Sequence, residues 1–169
     1  MAIYVTSDAH GHVRALDEAL SKISLASDDT LYVLGDMIDR GPDPVGVIKL
    51  VRSLPNARVL KGNHEQIMLD AIIGQDPLDA ETWDINGGWT TRQQLNDMEF
   101  EAYEELVRWM ATLPLYAVAE TDERPYLLVH AGIQTEAARA FLLEHGVDCA
   151  DGAGAVSATT ADACGAVVR

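Results

Sequence analysis

Potential metal ligands recur in this sequence in four short clusters. Asp8-Ala9-His10-Gly11 sets a carboxylate and an imidazole on alternate residues. Gly35-Asp36-Met37-Ile38-Asp39-Arg40-Gly41 carries two carboxylates and a guanidinium, and Gly62-Asn63-His64-Glu65 follows directly on Lys61. Val129-His130-Ala131-Gly132 is the fourth. Each cluster alone has an ordinary reading. An aspartate after a strand commonly caps a helix, a glycine there makes a tight turn, and a lone histidine is more often hydrogen-bonded than ligated. Repetition changes this, because Asp, His, Asp, Asn, His and His fall at comparable points in successive units. Mixed imidazole, carboxylate and amide donors suit manganese, iron or zinc better than magnesium alone.

The elements between the clusters explain how the ligands would meet. Ala2–Thr6, Thr30–Leu34 and Ala57–Leu60 are short, apolar and rich in β-branched residues, and each runs straight into a cluster. Helical spacing follows in Val13, Leu16, Ala19, Leu20 and Ile23, then in Val47, Ile48, Val51 and Leu54, then in Ile67, Met68, Ala71 and Ile72. Strands separated by helices of this length predict right-handed βαβ crossovers and a mostly parallel sheet. A sheet covered on both faces also explains strands that are apolar throughout. Open α/β sheets carry their sites at the carboxyl ends of strands, so the clusters converge there. Residues 75–98 are polar and tryptophan-bearing, with an Asn86-Gly87-Gly88 turn, and read as a loop or lid. Residues 99–112 read as a helix, Leu115–Ala119 and Tyr126–Val129 as the strands of a hairpin, and Glu136–Glu144 as a last helix.

Bulk properties narrow the partners. The 169 residues suffice for one domain with a sizeable core. Twelve basic against 27 acidic residues give a formal charge of −15, which argues against a broad nucleic-acid or anionic-membrane surface. A small anionic substrate stays open, because bound cations reverse the local sign. Met1 leads directly into the first strand, and no signal peptide or membrane-spanning run is visible, so a cytoplasmic protein is expected. Cys149 and Cys164 fit neither a zinc ribbon nor a disulfide framework. From Val147 onward alanine and glycine dominate, and a weakly ordered tail over residues 147–169 is expected behind a domain of residues 1–146.

DAHG, GDMIDRG and GNHE, in this order, resemble the three signature motifs of the calcineurin-like metallophosphoesterases. The extended forms GDMIDRG and GNHE resemble those of the phosphoprotein phosphatase family. That family comprises serine/threonine phosphatases and bacterial relatives, including phage enzymes and symmetrical dinucleoside-tetraphosphate hydrolases. Gly62–Asp70 and Asn86-Gly87-Gly88-Trp89 are especially similar to its compact bacterial and phage members, and the resemblance covers residues 2–133.

The resemblance implies an α/β fold, the four-layer α/β/β/α sandwich of that family, with a reduced second sheet. It implies two divalent ions, with manganese favoured and iron or zinc as alternatives. Asp8 and His10 would hold the first ion, Asp36 would bridge both, and Asn63 and His130 would hold the second. A carboxylate has two oxygens and spans cations about 3.5–4 Å apart, the usual separation in two-metal sites. The implied reaction is in-line attack of a metal-bound hydroxide on a phosphomonoester. His64 would protonate the leaving oxygen and Asp39 would orient His64. Arg40 would clamp the phosphate, with Asn63 and Lys61 beside it; Lys61 stands where the family often carries arginine. Phosphoserine or phosphothreonine of a protein is the family's usual substrate, and a dinucleoside tetraphosphate is the alternative.

One family feature is missing. A further histidine, in a Gly-His-Thr type motif, normally completes the second metal site, and here only His145 follows His130. The sequence therefore predicts a well-formed first metal position beside a second that lacks an imidazole. A catalytically weak metal- or phosphate-binding module is the third reading. Two origins fit such an ending, a naturally shortened homologue or an altered reading frame.

Overall fold

The computed structural model describes residues 1–144 apart from 75, 123, 133 and 134. His145, both cysteines and the expected tail lie outside the described residues. Three strands, β1 (Ile3–Thr6), β2 (Thr30–Val33) and β3 (Ala57–Val59), form a parallel sheet in that order. The register pairs Ile3 with Thr30 and Leu31 with Ala57. Helices α1 (Val13–Ile23) and α2 (Pro44–Ser53) make the two crossovers and pack against one another. Asp43 starts α2 by accepting from the Gly46 N–H at 2.9 Å, and Pro44 supplies the pre-set φ of the first turn.

Both faces of β2 are buried. Leu31 and Val33 point into an apolar layer with Leu16, Val47, Ile48, Val51 and Met68, while Tyr32 and Leu34 point the other way. There they meet Leu60, together with Ala119 and Leu128 of a second sheet. That sheet is the antiparallel pair β4 (Tyr116–Glu120) and β5 (Pro125–Val129). The Tyr32 hydroxyl donates to the Val118 carbonyl at 3.3 Å and ties the two sheets together. The expected sandwich with a small second sheet is therefore present. Burying a Leu or Val contributes roughly 1.5–3 kcal/mol, so β2, with a side chain in every layer, is the axis of the fold.

Residues 75–98 differ from the expected loop. They form two helices, α4 (Pro77–Ile85) and α5 (Trp89–Asn96), joined at Asn86-Gly87-Gly88. They follow α3 (Asn63–Leu69) and its π-helical last turn Asp70–Gly74. Asp76 caps α4 by accepting from the Leu78 N–H at 2.9 Å, with Pro77 in the first turn. Trp83 is the one buried residue of α4, and α5 buries two threonines and one leucine. Neither helix therefore shows an apolar stripe in sequence. Helix α6 (Phe100–Ala111) and a final α7 (Thr135–Glu144) complete the described chain. No helix among the described residues is long and apolar enough to cross a membrane.

Candidate metal centre

Beyond the strand ends, the loops after β1 and β2 continue to pair. His10 N–H donates to the Asp36 carbonyl at 2.9 Å and Gly11 N–H to the Met37 carbonyl at 2.9 Å. This pairing holds the first two clusters side by side. The cost is backbone strain, since Asp8, His10, Asp36, Asp39 and Arg40 all have φ between 40° and 68°. A non-glycine residue rarely adopts the left-handed region, and such residues gather at functional sites. Met37 and Ile38 anchor the strained turn, with both side chains fully buried in the core. Gly35, at φ 100°, passes so close to the third cluster that a Cβ would stand 2.2 Å from the Gly62 nitrogen.

Asp36 occupies the centre. Its Oδ1 accepts from the His64 N–H at 3.0 Å. Its Oδ2 faces two imidazoles, 3.6 Å from His10 Nε2 and 3.3 Å from His130 Nε2. His130 Nε2 also lies 3.0 Å from the Asn63 Oδ1, and Asp8 Oδ1 lies 3.8 Å from His10 Nε2. The Ser7 hydroxyl donates to the other Asp8 oxygen. Among the described residues, potential ligand atoms within 4.8 Å of one another fall into two groups, His10 with Asp36 and His64, and Asp8 with Asp36 and His130. Asp36 belongs to both, whereas Asp8 groups with His130 rather than with His10, and His64 joins the His10 group. The structure thus brings together all five expected ligands, Asp8, His10, Asp36, Asn63 and His130.

The donor set fits divalent ions. His10 donates from Nδ1 to the Ile38 carbonyl at 2.9 Å, which fixes the tautomer and turns the Nε2 lone pair into the cluster. His130 Nδ1 is buried without a hydrogen-bond partner among the described residues. Burial holds His10 below its ordinary pKa, against the pull of the Ile38 carbonyl. Burial alone would raise Asp36, but hydrogen bonds from His130 and from the His64 N–H outweigh it and hold the carboxyl below its usual range. His130 moves oppositely. Burial would lower it, and the hydrogen bond and charge of Asp36 prevail and raise it. The two shifts are two sides of one ion pair.

His64 and Asp39 stand beside this centre. His64, 1% exposed, donates from Nδ1 to the Asp39 Oδ2 at 2.7 Å, and its ring lies edge-on to that of His10 with centroids 4.7 Å apart. Arg40 spans the two imidazoles, Nη1 donating to His10 Nε2 at 3.1 Å and Nη2 to His64 Nε2 at 2.8 Å. Lys61 does not join them. Its ammonium donates to the Ala111 carbonyl at the end of α6 and to the Gln66 side chain, both at 3.3 Å, where the negative end of the helix attracts a cation. His12 immediately precedes α1 and makes no side-chain cap there.

Glu65 is fully buried and unites the second and third clusters. It accepts from the Asp36, Met37 and Gly62 N–H groups, each at 2.8 Å. Burial pushes its carboxyl up, reinforced by the charge of Asp36, and the three N–H groups pull against that. A glutamate three positions after a helix cap is a sequence signal for reaching back to the cap, so half of this role was readable. Trp83 and Thr91, which touch Asp39, carry no comparable signal, being 44 and 52 residues away from it.

Comparison with known proteins agrees with this geometry. A family model described as calcineurin-like phosphoesterase matches residues 1–150. A symmetrical bis(5'-nucleosyl)-tetraphosphatase from Erwinia tasmaniensis is 32% identical over 136 residues, covering 79% of this chain and 45% of the relative. The chain thus spans less than half the length of that relative. A metallophosphoesterase from Sphaerobacter thermophilus superposes with a TM-score of 0.50 at 28% identity, over 69% of this chain and 42% of the other. A protein serine/threonine phosphatase from Saccharomyces cerevisiae shares the fold, with a TM-score of 0.57 at 20% identity over 78% of this chain and 38% of its own. Ligand-bearing strand ends, a carboxylate shared by two donor groups and the match over residues 1–150 lead to one conclusion: the chain belongs to the calcineurin-like phosphoesterase family.

Proposed function

We propose that the chain is a metal-dependent phosphoester hydrolase whose substrate is a dinucleoside tetraphosphate, split symmetrically into two nucleoside diphosphates. The observation that carries the chemistry is Asp36 Oδ2, poised between two imidazoles with the Arg40 fork alongside. The substrate class rests on the similarity to symmetrical tetraphosphatases. Asp8, His10 and Asp36 would hold one divalent ion, and Asp36, Asn63 and His130 a second. We assign manganese, with iron or zinc also suited to the donors. Bound there, such ions supply charge to the phosphoryl oxygens and acidify a water.

The protein's own groups do the rest. Arg40 offers a planar fork that fits two phosphate oxygens, and the Asn63 amide adds a donor beside it. The His64 Nε2, which accepts from Arg40 Nη2, faces the same space, and Asp39 on its Nδ1–H fixes the ring orientation. Protonated, the imidazole delivers a proton to the leaving oxygen. Lys61, engaged at the end of α6, stands outside this clamp.

Phosphoserine or phosphothreonine is the second reading, supported by the motifs GDMIDRG and GNHE. A third reading is a metal- or phosphate-binding module with little turnover. Diadenosine tetraphosphate and a phosphoserine peptide, each incubated with the full chain and manganese, separate all three. We expect adenosine diphosphate from the first substrate, lost in Asp36→Asn. Phosphate release from the peptide alone favours the second reading. Manganese binding by calorimetry without turnover of either substrate favours the third, and the stoichiometry then reports whether one or two ions are held.

A further inference from the structure

Asp39 is a fully buried carboxylate, and a charge so placed is costly unless its oxygens are saturated with donors. Three side chains supply them. Thr91 Oγ1 donates to Oδ1 at 2.6 Å. Trp83 Nε1 donates to both oxygens, at 3.0 and 3.1 Å. His64 Nδ1 donates to Oδ2 at 2.7 Å. The Thr91 hydroxyl cannot turn away, because it also accepts from the Asp39 N–H at 2.9 Å.

Trp83 is itself held. Gly88 packs flat on the indole, and a Cβ on Gly88 would come within 2.3 Å of the ring. Arg92 covers the indole 4.8 Å from the ring centroid and is fixed by Asp84 and the Ala80 carbonyl. Gly87, with φ 92°, turns its carbonyl to accept from the Arg40 N–H at 3.0 Å. The α4–α5 hairpin therefore reaches both neighbours in sequence, Asp39 and Arg40.

From this we infer that Trp83 and Thr91 are positioning residues that act through Asp39. They clamp the carboxylate so that His64 keeps its proton on Nδ1 and aims Nε2 at the leaving oxygen. With either donor lost, the carboxylate rotates toward the remaining one and the imidazole loses its orienter, while the metal ligands are untouched. The consequence for turnover rests on the hydrolase reading above; the consequence for His64 does not.

Two measurements on the full chain test this. In the metal-free protein with nitrogen-15 histidine, His64 should appear as the Nδ1–H tautomer, with a slowly exchanging proton shifted downfield by Asp39. Thr91→Val and Trp83→Phe should broaden or abolish that proton signal, and Thr91→Ser should retain it. Should Trp83→Phe fail to fold, the benzothienyl isostere of Trp83 removes the N–H alone. In turnover with manganese, both variants should lose roughly ten-fold or more on phenyl phosphate relative to p-nitrophenyl phosphate, whose leaving oxygen needs little protonation. A merely structural defect would slow the two substrates equally. If the His64 signal in both variants matches the wild type, the inference is wrong. If the wild type turns over neither aryl phosphate, the resonance alone decides the role of Trp83 and Thr91, and the hydrolase reading is decided separately by diadenosine tetraphosphate.

Discussion

Asp36 divides its oxygens between scaffold and site, one on the His64 N–H and the other between His10 and His130. Glu65 supports that division by gathering the Asp36, Met37 and Gly62 N–H groups on its carboxylate. A glutamine there keeps the shape but turns an amide N–H toward backbone N–H groups. Glu65→Gln should therefore destabilise the protein by about 1–3 kcal/mol, the cost of leaving a buried donor unsatisfied. A lowered urea midpoint with unchanged m-value would be the sign. An unchanged midpoint would mean that the three N–H groups find other partners.

At the scale of elements, the chain joins regular parts with a few side-chain staples. Asp29, just before β2, accepts from the Ala2 N–H at 2.6 Å and the Ala26 N–H at 3.0 Å, fixing the start of β1. These two donors hold its carboxyl below the usual carboxylate range. A carboxylate with a depressed folded pKa stabilises above its unfolded pKa, near 4, and that contribution is lost as pH falls through the folded value. The Tm gap between wild type and Asp29→Asn should thus be full at neutral pH and close progressively below about pH 4. A gap independent of pH would show that the staple is not ionic. Gly88→Ala is the matching test at the start of α5. Its Cβ would meet the Trp83 indole, so Tm should fall by several degrees and tryptophan fluorescence should shift. The strands, the crossover helices and the convergence of Asp8, His10, Asp36, Asn63 and His130 were legible because strand ends are local in sequence and each repeats one pattern. Helices α4 and α5 were not, because each buries little and both owe their place to Asp39 and Arg40. The Lys61 ammonium was also illegible, since its partner Ala111 lies fifty residues on. Sequence spacing carries no word of such contacts.

Across the whole molecule, the candidate metal centre sits on the seam between the two sheets. Asp8, Asp36 and Asn63 follow β1, β2 and β3, whereas His130 follows β5 of the second sheet. Between the sheets lie an apolar layer and the Tyr32–Val118 hydrogen bond. The centre also concentrates negative charge in a chain already at −15. A divalent cation should therefore do two things, relieve carboxylate repulsion and tie β5 to the parallel sheet. By mass action an ion at a hundred times its Kd adds about 2.7 kcal/mol, equivalent to roughly 5–10 °C in Tm for a chain of this size. Hydrogen exchange locates the effect. Manganese should slow exchange at Leu127 and Leu128 in the wild type, and His130→Ala should lose that protection while keeping protection of β2. Equal protection of both strands in His130→Ala would show that the second sheet is held by its apolar layer alone, and that the metal centre stabilises only the parallel sheet.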